Sequence, residues 1–412
     1  MSKKSINTID LFAGCGGLLD GFMLAGGYNS LACVEWEKYP CITLAHRLKS
    51  RWGHSNANNE VVRFDIQRTE ELFSGFNDEE YGRHPGLDAL VGKRKVDVII
   101  GGPPCQAYSL AGRIRDANGM RDDYRNYLFE SYLKVVSHYK PKFFVFENVV
   151  GMLSAMPDGS PIINTIKKAF DKVGYTVIED FKKALFDVAD FGIPQHRQRV
   201  IILGVNKSYF DPKEEGDSQK ILNEFYDMLA SKRCSVKTVR DAIGDLPSLI
   251  PNQEIIKQDG KKYSHTPILS DGVLNHTPRF HSERDVNVFK LLTEDIASGR
   301  NKYITTTALK ELYTKITGKT SNIHKFYVLR WDEPSNTIPA HLYKDGLRHI
   351  HPDPQQARSI TVREAARLQT FEDDFEFLGP MMAQYKMIGN AVPSAFATII
   401  AKILKTIINK YC

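Results

Sequence analysis

The sequence predicts an α/β fold, with an open and largely parallel sheet in the first half and a smaller irregular module after it. Three observations predict it. Short apolar runs alternate with helical stretches up to about residue 205, as in parallel α/β proteins. A glycine-rich turn joins the first apolar run to the first helix. From 206 to about 325 the chain becomes polar, rich in Lys, Asp, Ser and Asn, with weak periodicity.

Taken in order, Ile6 to Phe12 reads as a strand and Gly17 to Ala25 as the helix that follows it. Leu31 to Val34, Val61 to Phe64 and Val96 to Ile100 are the next strands. A helix over Tyr124 to His138 precedes the strand Phe143 to Phe146. The helix Ile162 to Val173 leads to strands at Tyr175 to Ile178 and Val200 to Val205. Such short, continuous apolar runs suit strands covered on both faces. Order returns at Thr361-Val-Arg-Glu364, a capping box in which hydroxyl and carboxylate satisfy the first amides of a helix. Phe396, Ile399, Ile400, Ile403, Leu404 and Ile407 repeat at helical spacing. That stripe needs an apolar partner, so the end of the chain is expected to return to the first domain.

At 412 residues, 42% hydrophobic and 25% charged, the composition excludes a disordered or fibrous chain. No run of eighteen apolar residues is present, so no membrane span is expected. Met1-Ser2-Lys3-Lys4 enters the first strand without a signal-like hydrophobic region, which makes a cytoplasmic protein the default. Six scattered cysteines form no C-x-x-C pair, which excludes a disulfide framework and zinc-ligand spacing; no metal is expected. The net charge of +6 is compatible with a polyanionic partner.

Asp10-Leu-Phe-Ala-Gly-Cys-Gly-Gly17 lies between the first strand and its helix. Alone it fits either a tight turn or a loop that lets a nucleotide-type cofactor approach the backbone. Glu35 ends the second strand eighteen residues after Gly17, about where a ribose-binding carboxylate belongs. Gly101-Gly-Pro-Pro-Cys105-Gln-Ala-Tyr-Ser109 follows the fourth strand. Two prolines stiffen the approach to Cys105, and open α/β sheets hold ligands at this edge. The thiol is either structural or reactive. Phe146-Glu147-Asn148-Val149 ends the fifth strand at the same edge; its carboxylate serves either as an acid or base or as a cap. Gln195-His-Arg197-Gln-Arg199 enters the last strand, and two arginines at alternate positions share a face of an extended segment.

These blocks, in this order, resemble the cytosine-5 DNA methyltransferase family. Pro-Cys105-Gln, Phe-Glu147-Asn-Val and Gln-x-Arg197-x-Arg199 are similar to its catalytic blocks, and Thr361 to Phe371 and Ile388-Gly-Asn-Ala-Val-Pro393 to its C-terminal ones. The resemblance implies a Rossmann-like methyltransferase sheet using S-adenosylmethionine, with a smaller target-recognition domain. It implies a catalytic domain at 1–205 completed by 388–412, and a recognition domain at 206–387 that includes a helix at 358–371. Cys105 would attack carbon-6 of the cytosine, Glu147 would support its N3 and amine, and Arg197 and Arg199 would lie near the base and its phosphate. Phe12, Gly14, Gly16, Gly17, Glu35, Asp65, Ile66, Pro104 and Asn390 would hold the cofactor.

The resemblance also implies double-stranded DNA as partner, with the target base turned out of the helix, and pairing with a restriction endonuclease. Ser109 would meet the DNA, as would Arg113 in a mobile, basic loop with hinges at Gly112 and Gly119. So would Arg279 and Arg284, with Lys325 and Arg330 as further candidates for contacts. The alternatives are an RNA cytosine-5 methyltransferase on the same fold, a catalytically silent binding protein and a dinucleotide oxidoreductase. The sequence sets no oligomeric state.

Overall fold

The computed structural model describes residues 5–104, 128–156, 160–211, 217–258, 260–266, 272–344 and 346–412. Cys105, Ser109, Arg113 and the Gly112–Gly119 loop lie outside the described residues. The chain divides into two compact units, 1–191 with 198–235 and 391–412, and 192–197 with 236–390.

Twelve strands occur among the described residues: β1 Ile6–Leu11, β2 Tyr28–Glu35, β3 Val61–Arg63, β4 Phe76–Asp78, β5 Gly82–His84, β6 Val98–Gly101, β7 Phe143–Val149, β8 Tyr175–Thr176, β9 Leu185–Asp187, β10 Gln198–Asn206, β11 Pro251–Gln258 and β12 Lys261–His265. The main sheet of the first unit runs β3-β2-β1-β6-β7-β10-β8, with β9 paired to β10. Its strands β3, β2, β1, β6 and β7 are mutually parallel, and β10 is antiparallel to β7. The expected strands are present, and β6, β7 and β10 are buried almost throughout, as runs covered on both faces should be. The order places β1 and β6 at the point where the winding reverses. In open α/β sheets that is where ligands are bound.

The C-terminal helix Ser394–Tyr411 lies in this first unit and buries Phe396, Ile400, Ile403, Leu404 and Ile407. Its main partner is the helix Gly17–Ala25 rather than the sheet itself. The approach is so close that a Cβ on Gly21 would stand 2.4 Å from Ala397 Cβ and 2.6 Å from the Ser394 carbonyl oxygen. Tyr28 donates to the Ala401 carbonyl at 2.7 Å. Residues 206–235, grouped by sequence with the irregular module, lie in this unit, where the helix Ser218–Ala230 buries Ile221, Leu222, Phe225 and Leu229. The segment Met381–Tyr411 is apolar enough to cross a membrane by composition, but 67% of its apolar window is buried within the protein.

In the second unit the capping box forms as expected: Thr361 and Glu364 satisfy each other's backbone at the start of the helix Val362–Leu368. The polar stretch also forms the helices Glu283–Ala297 and Thr306–Thr317, which its weak periodicity did not signal. They share an apolar core of Val288, Phe289, Leu292, Leu309, Leu312 and Phe326. A polar interior accompanies it. Buried Arg358 grips Glu364 through two bonds of 2.6 and 2.7 Å. Burial alone would raise the Glu364 pKa, but Arg358 and the nearby histidines hold it well below the usual carboxylate range. Burial pushes His265 down to about 4 and His281, His349 and His351 down to about 3.

Two outcomes are expected. Gly21→Ala forces a methyl into the helix contact and should destabilise the chain by about 2 kcal/mol, read as a lowered Tm. The histidines are neutral when folded and ordinary bases when unfolded. Their contribution to stability is therefore complete above about pH 6.5, their usual value, and is lost as pH falls towards 3. Hydrogen exchange at pH 7 and pH 5 should show protection lost first at residues 264–266, 276–281 and 349–364.

Candidate active site

The C-terminal ends of β1, β2, β3, β6 and β7 carry the first unit's candidate residues. Phe12 leaves β1 with φ 57° and Gly14 and Gly16 follow at 55° and 93°. Left-handed backbone suits glycine; for Phe12 it costs on the order of 1 kcal/mol and marks a constrained turn. Ala13 donates to the Val34 carbonyl at 3.0 Å, which ties this turn to the end of β2. Glu35 completes the tie. Its carboxylate accepts from Gly14 N at 2.9 Å and from Trp36 N and Glu37 N at 2.8 Å each. Gly16 caps the helix beginning at Gly17 without a side-chain bond, so its first amides are not capped from within.

Asp10, in β1 itself, is a site residue that the motif reading passed over. It is 1% exposed, and neither carboxylate oxygen has a hydrogen-bond partner among the described residues. Burial, with Glu35 adding to it, raises its pKa well above the usual range. Asp65 follows β3 in a tight turn, where its carboxylate accepts from Gln67 N at 2.9 Å, and Ile66 beside it is buried. Phe64 N donates to the Glu35 carbonyl at 3.0 Å, which keeps these two strand ends together.

At β6 two glycines are required by space. A Cβ on Gly101 would meet the Leu11 carbonyl oxygen at 2.4 Å, and one on Gly102 would meet Glu147 Oε2 at 2.6 Å. Asn148 is buried and donates to the Pro103 carbonyl at 3.3 Å, anchoring the loop that continues through Pro104. Glu147 Oε1 pairs with Arg199 Nε across β7 and β10 at 2.6 Å, and both side chains are nearly enclosed, 12% and 13% exposed. Burial lowers the Arg199 pKa and Glu147 opposes that shift; a guanidinium remains charged. Glu147, Arg199 and the Gly102–Pro104 loop therefore converge.

Arg197 lies just ahead of β10, which begins at Gln198. Arg197 belongs to the second unit and is 1% exposed. It donates to the Ile338 carbonyl at 3.0 Å and the Gly389 carbonyl at 3.1 Å. Gln369 donates to the Ile388 carbonyl at 2.8 Å. Together they hold the final turn of the helix Met381–Asn390, which carries Asn390. A cation and an amide at a helix C-terminus satisfy carbonyls that would otherwise lack donors.

Of the two described arginines assigned to DNA, Arg279 is committed inward. It donates to the Leu342 carbonyl at 2.9 Å and lies 4.4 Å from the Tyr385 ring centre. Arg284 is exposed and pairs with Asp285 at 3.0 Å. Cys15, Cys33 and Cys41 are buried, and burial raises each thiol's pKa. Cys234 and Cys412 are exposed and lie away from these loops in the sequence.

The profile of the C-5 cytosine-specific DNA methylases matches residues 6–406. The Type II methyltransferase M.Bpa9945I of Bacillus paralicheniformis is 36% identical, over 97% of this chain and 99% of that one. The Type II methyltransferase M1.HphI of Haemophilus parahaemolyticus is 31% identical, over 97% and 86%. A prophage-encoded E. coli protein, described as a DNA modification methyltransferase, superposes with TM-score 0.61 at 27% identity, covering 98% of this chain and all 100% of that one.

Because Gly102 lies flush against Glu147, Gly102→Ala should separate Glu147 from Arg199 or push the loop away. Turnover should fall on the order of 100-fold with little change in Tm; steady-state rates and calorimetry on one preparation check this.

Proposed function

The chain belongs to the C-5 cytosine-specific DNA methylase family, and on that premise we propose that it methylates carbon-5 of a cytosine within a short duplex DNA sequence, with Cys105 as covalent nucleophile and S-adenosylmethionine as methyl donor. The observation that carries this assignment is the enclosed Glu147–Arg199 pair beside Gly102, three residues before Cys105. The Type II relatives favour DNA over RNA as the substrate and suggest a role beside a restriction endonuclease.

The first unit's donor set fits the cofactor. Glu35 at the end of β2 suits ribose hydroxyls, and the unsatisfied Asp10 oxygens suit a ligand bearing positive charge and N–H donors. The left-handed backbone at Phe12, Gly14 and Gly16 lets a ligand approach the main chain. Asp65 and Ile66 stand at the next strand end, where an adenine would lie. When bound, S-adenosylmethionine supplies an electrophilic methyl group.

Carbon-5 of cytosine is a weak nucleophile, so the chain's task is to load it with electrons. The Cys105 thiolate adds to carbon-6, forming a C–S bond and an enamine that is nucleophilic at carbon-5. Glu147, held through Oε1 by Arg199, faces the N3 and amine edge of the base with its other oxygen, and a proton taken up from solvent with the base bridges that oxygen to N3. Hydrogen bonding there draws charge from the ring during addition. Once carbon-5 is methylated, its proton leaves to a base; the C–S electron pair returns to sulfur and the double bond is restored. Arg199 acts as a positioning residue for Glu147, and Arg197 as one for the segment entering β10.

Cys105→Ser should abolish incorporation of labelled methyl groups into duplex DNA; retained full activity would overturn the mechanism. Duplex DNA with fluorine in place of the carbon-5 hydrogen should trap the enzyme covalently, because the final proton loss is blocked. Bisulfite sequencing of DNA from expressing cells should show one methylated sequence context. Methylation of transfer RNA but not DNA would transfer the assignment to RNA.

A further inference from the structure

The second unit carries a charge anomaly that the proposed chemistry does not use. Residues 300–330 hold Arg300, Lys302, Lys310, Lys315, Lys319, Lys325 and Arg330 against the single acid Glu311. Their formal charge of +6 equals that of the whole chain, so the remaining residues are neutral in sum. Elsewhere in this unit several cations are matched: Arg240 pairs with Asp332, Arg284 with Asp285, Lys290 with Glu294, and Arg367 with Asp245 and Asp373. None of the seven in 300–330 has a carboxylate partner among the described residues. Arg300 donates only to Ser298 Oγ and Arg330 only to the Val328 carbonyl.

We propose that residues 300–330 are a phosphate-binding surface for duplex DNA, supplying affinity and its salt dependence but not sequence choice. Four features support that partner. Two of the charges, Lys310 and Lys315, stand on a firm base: the helix Thr306–Thr317, about 18 Å long, is capped by Thr305 and Gly318 and shares a core through Leu309 and Leu312 with the helix Glu283–Ala297. Arg300, Lys302, Lys315 and Lys319 are exposed, and Lys310, Lys325 and Arg330 are half-buried. Exposed Asn301, Thr305, Thr306, Thr307 and Asn322 lie between them, and such short polar groups also bond to phosphates. Uncompensated charge of one sign is costly to hold together, and a polyanion relieves it. Lysine, a compact and flexible point charge, suits a uniform backbone better than base-edge readout.

This inference rests on the assignment of duplex DNA as substrate. The test compares the full-length protein with K302Q/K310Q/K315Q/K319Q and with a charge-matched control, K49Q/K182Q/K183Q/K402Q, altered on exposed lysines of the first unit. Affinity for a duplex containing the methylated sequence is measured by fluorescence anisotropy across a salt series. Each phosphate that is no longer neutralised should flatten the log–log salt slope by about 0.9. The surface variant should therefore be flatter by about two units or more, with a raised KM for DNA, unchanged kcat at saturating DNA and an unchanged bisulfite pattern. Lysine-to-arginine versions of the same positions should restore the slope. Should the fourfold variant fold poorly, K315Q/K319Q, both exposed, serves the same comparison.

A slope equal to wild type, equal flattening in the control, or a changed methylation sequence would each overturn the proposal. Tighter, equally salt-dependent binding to RNA of the same length would overturn its choice of partner. A wild-type protein that methylates no DNA would instead overturn the substrate assignment itself, which distinguishes the two failures.

Discussion

The first unit's site depends on one steric constraint: the backbone at Gly101 and Gly102 lies flush against its neighbours. Gly101 faces the Leu11 carbonyl and Gly102 the Glu147 carboxylate, each with no room for a side chain. That closeness brings the ends of β1, β6 and β7 together where the winding of the sheet reverses. It lets a loop stiffened by two prolines start beside a carboxylate that Arg199 has already oriented. Asn148 then fixes the carbonyl of Pro103, so one short motif both presents a carboxylate and anchors the loop that it faces. Preorganisation of this kind places reacting groups before the substrate arrives, and that is where most of an enzyme's advantage resides.

The Gln195–Arg199 motif shows how adjacent residues divide two tasks. The strand begins between Arg197 and Arg199, and so does the boundary between the units. Gln195 and Arg197 are spent on main-chain groups: Gln195 accepts from Ile338 N at 2.8 Å, and Arg197 donates to Ile338 and Gly389. Arg199, two residues on, meets Glu147. Gly389 is itself packed so closely that a Cβ would strike Pro339 at 2.3 Å, which gives a packing reason for the glycine before Asn390.

Most of the first unit was legible because its signals are local. Apolar runs of four to six residues, bounded by glycine and proline, have few alternatives to buried strands. The Thr361 capping box and the C-terminal stripe were legible for the same reason. The helices Glu283–Ala297 and Thr306–Thr317 were not. Their core is completed by Phe326, Val328, Ile350 and Ala357, distant in sequence, and the nearby interior is built from histidine, arginine and glutamate that read as solvated. Asp10 went unremarked because a carboxylate within a strand gives no pattern; only its burial without a partner singles it out. The partners of Arg197 were not legible either, because the carbonyls of Ile338 and Gly389 are distant in sequence and leave no local pattern.

The buried arginines also change what net charge means for this chain. Arg197, Arg358 and Arg363 are 0–1% exposed and bonded to carbonyls or to Glu364. Arg363 alone donates to the carbonyls of Leu274, Glu372 and Phe375. A guanidinium with five donors satisfies several carbonyls that burial would otherwise leave without partners, and it lends little field to the surface. Composition counts these residues as basic, although their charge is committed inside the fold. Cations with surface carboxylate partners are likewise largely cancelled at distances beyond a Debye length. A modest overall charge of +6 therefore understates the local field over 300–330, where seven cations stand against the single acid Glu311. The sum over the chain is a poor guide to electrostatics; burial and pairing decide which charges a partner meets.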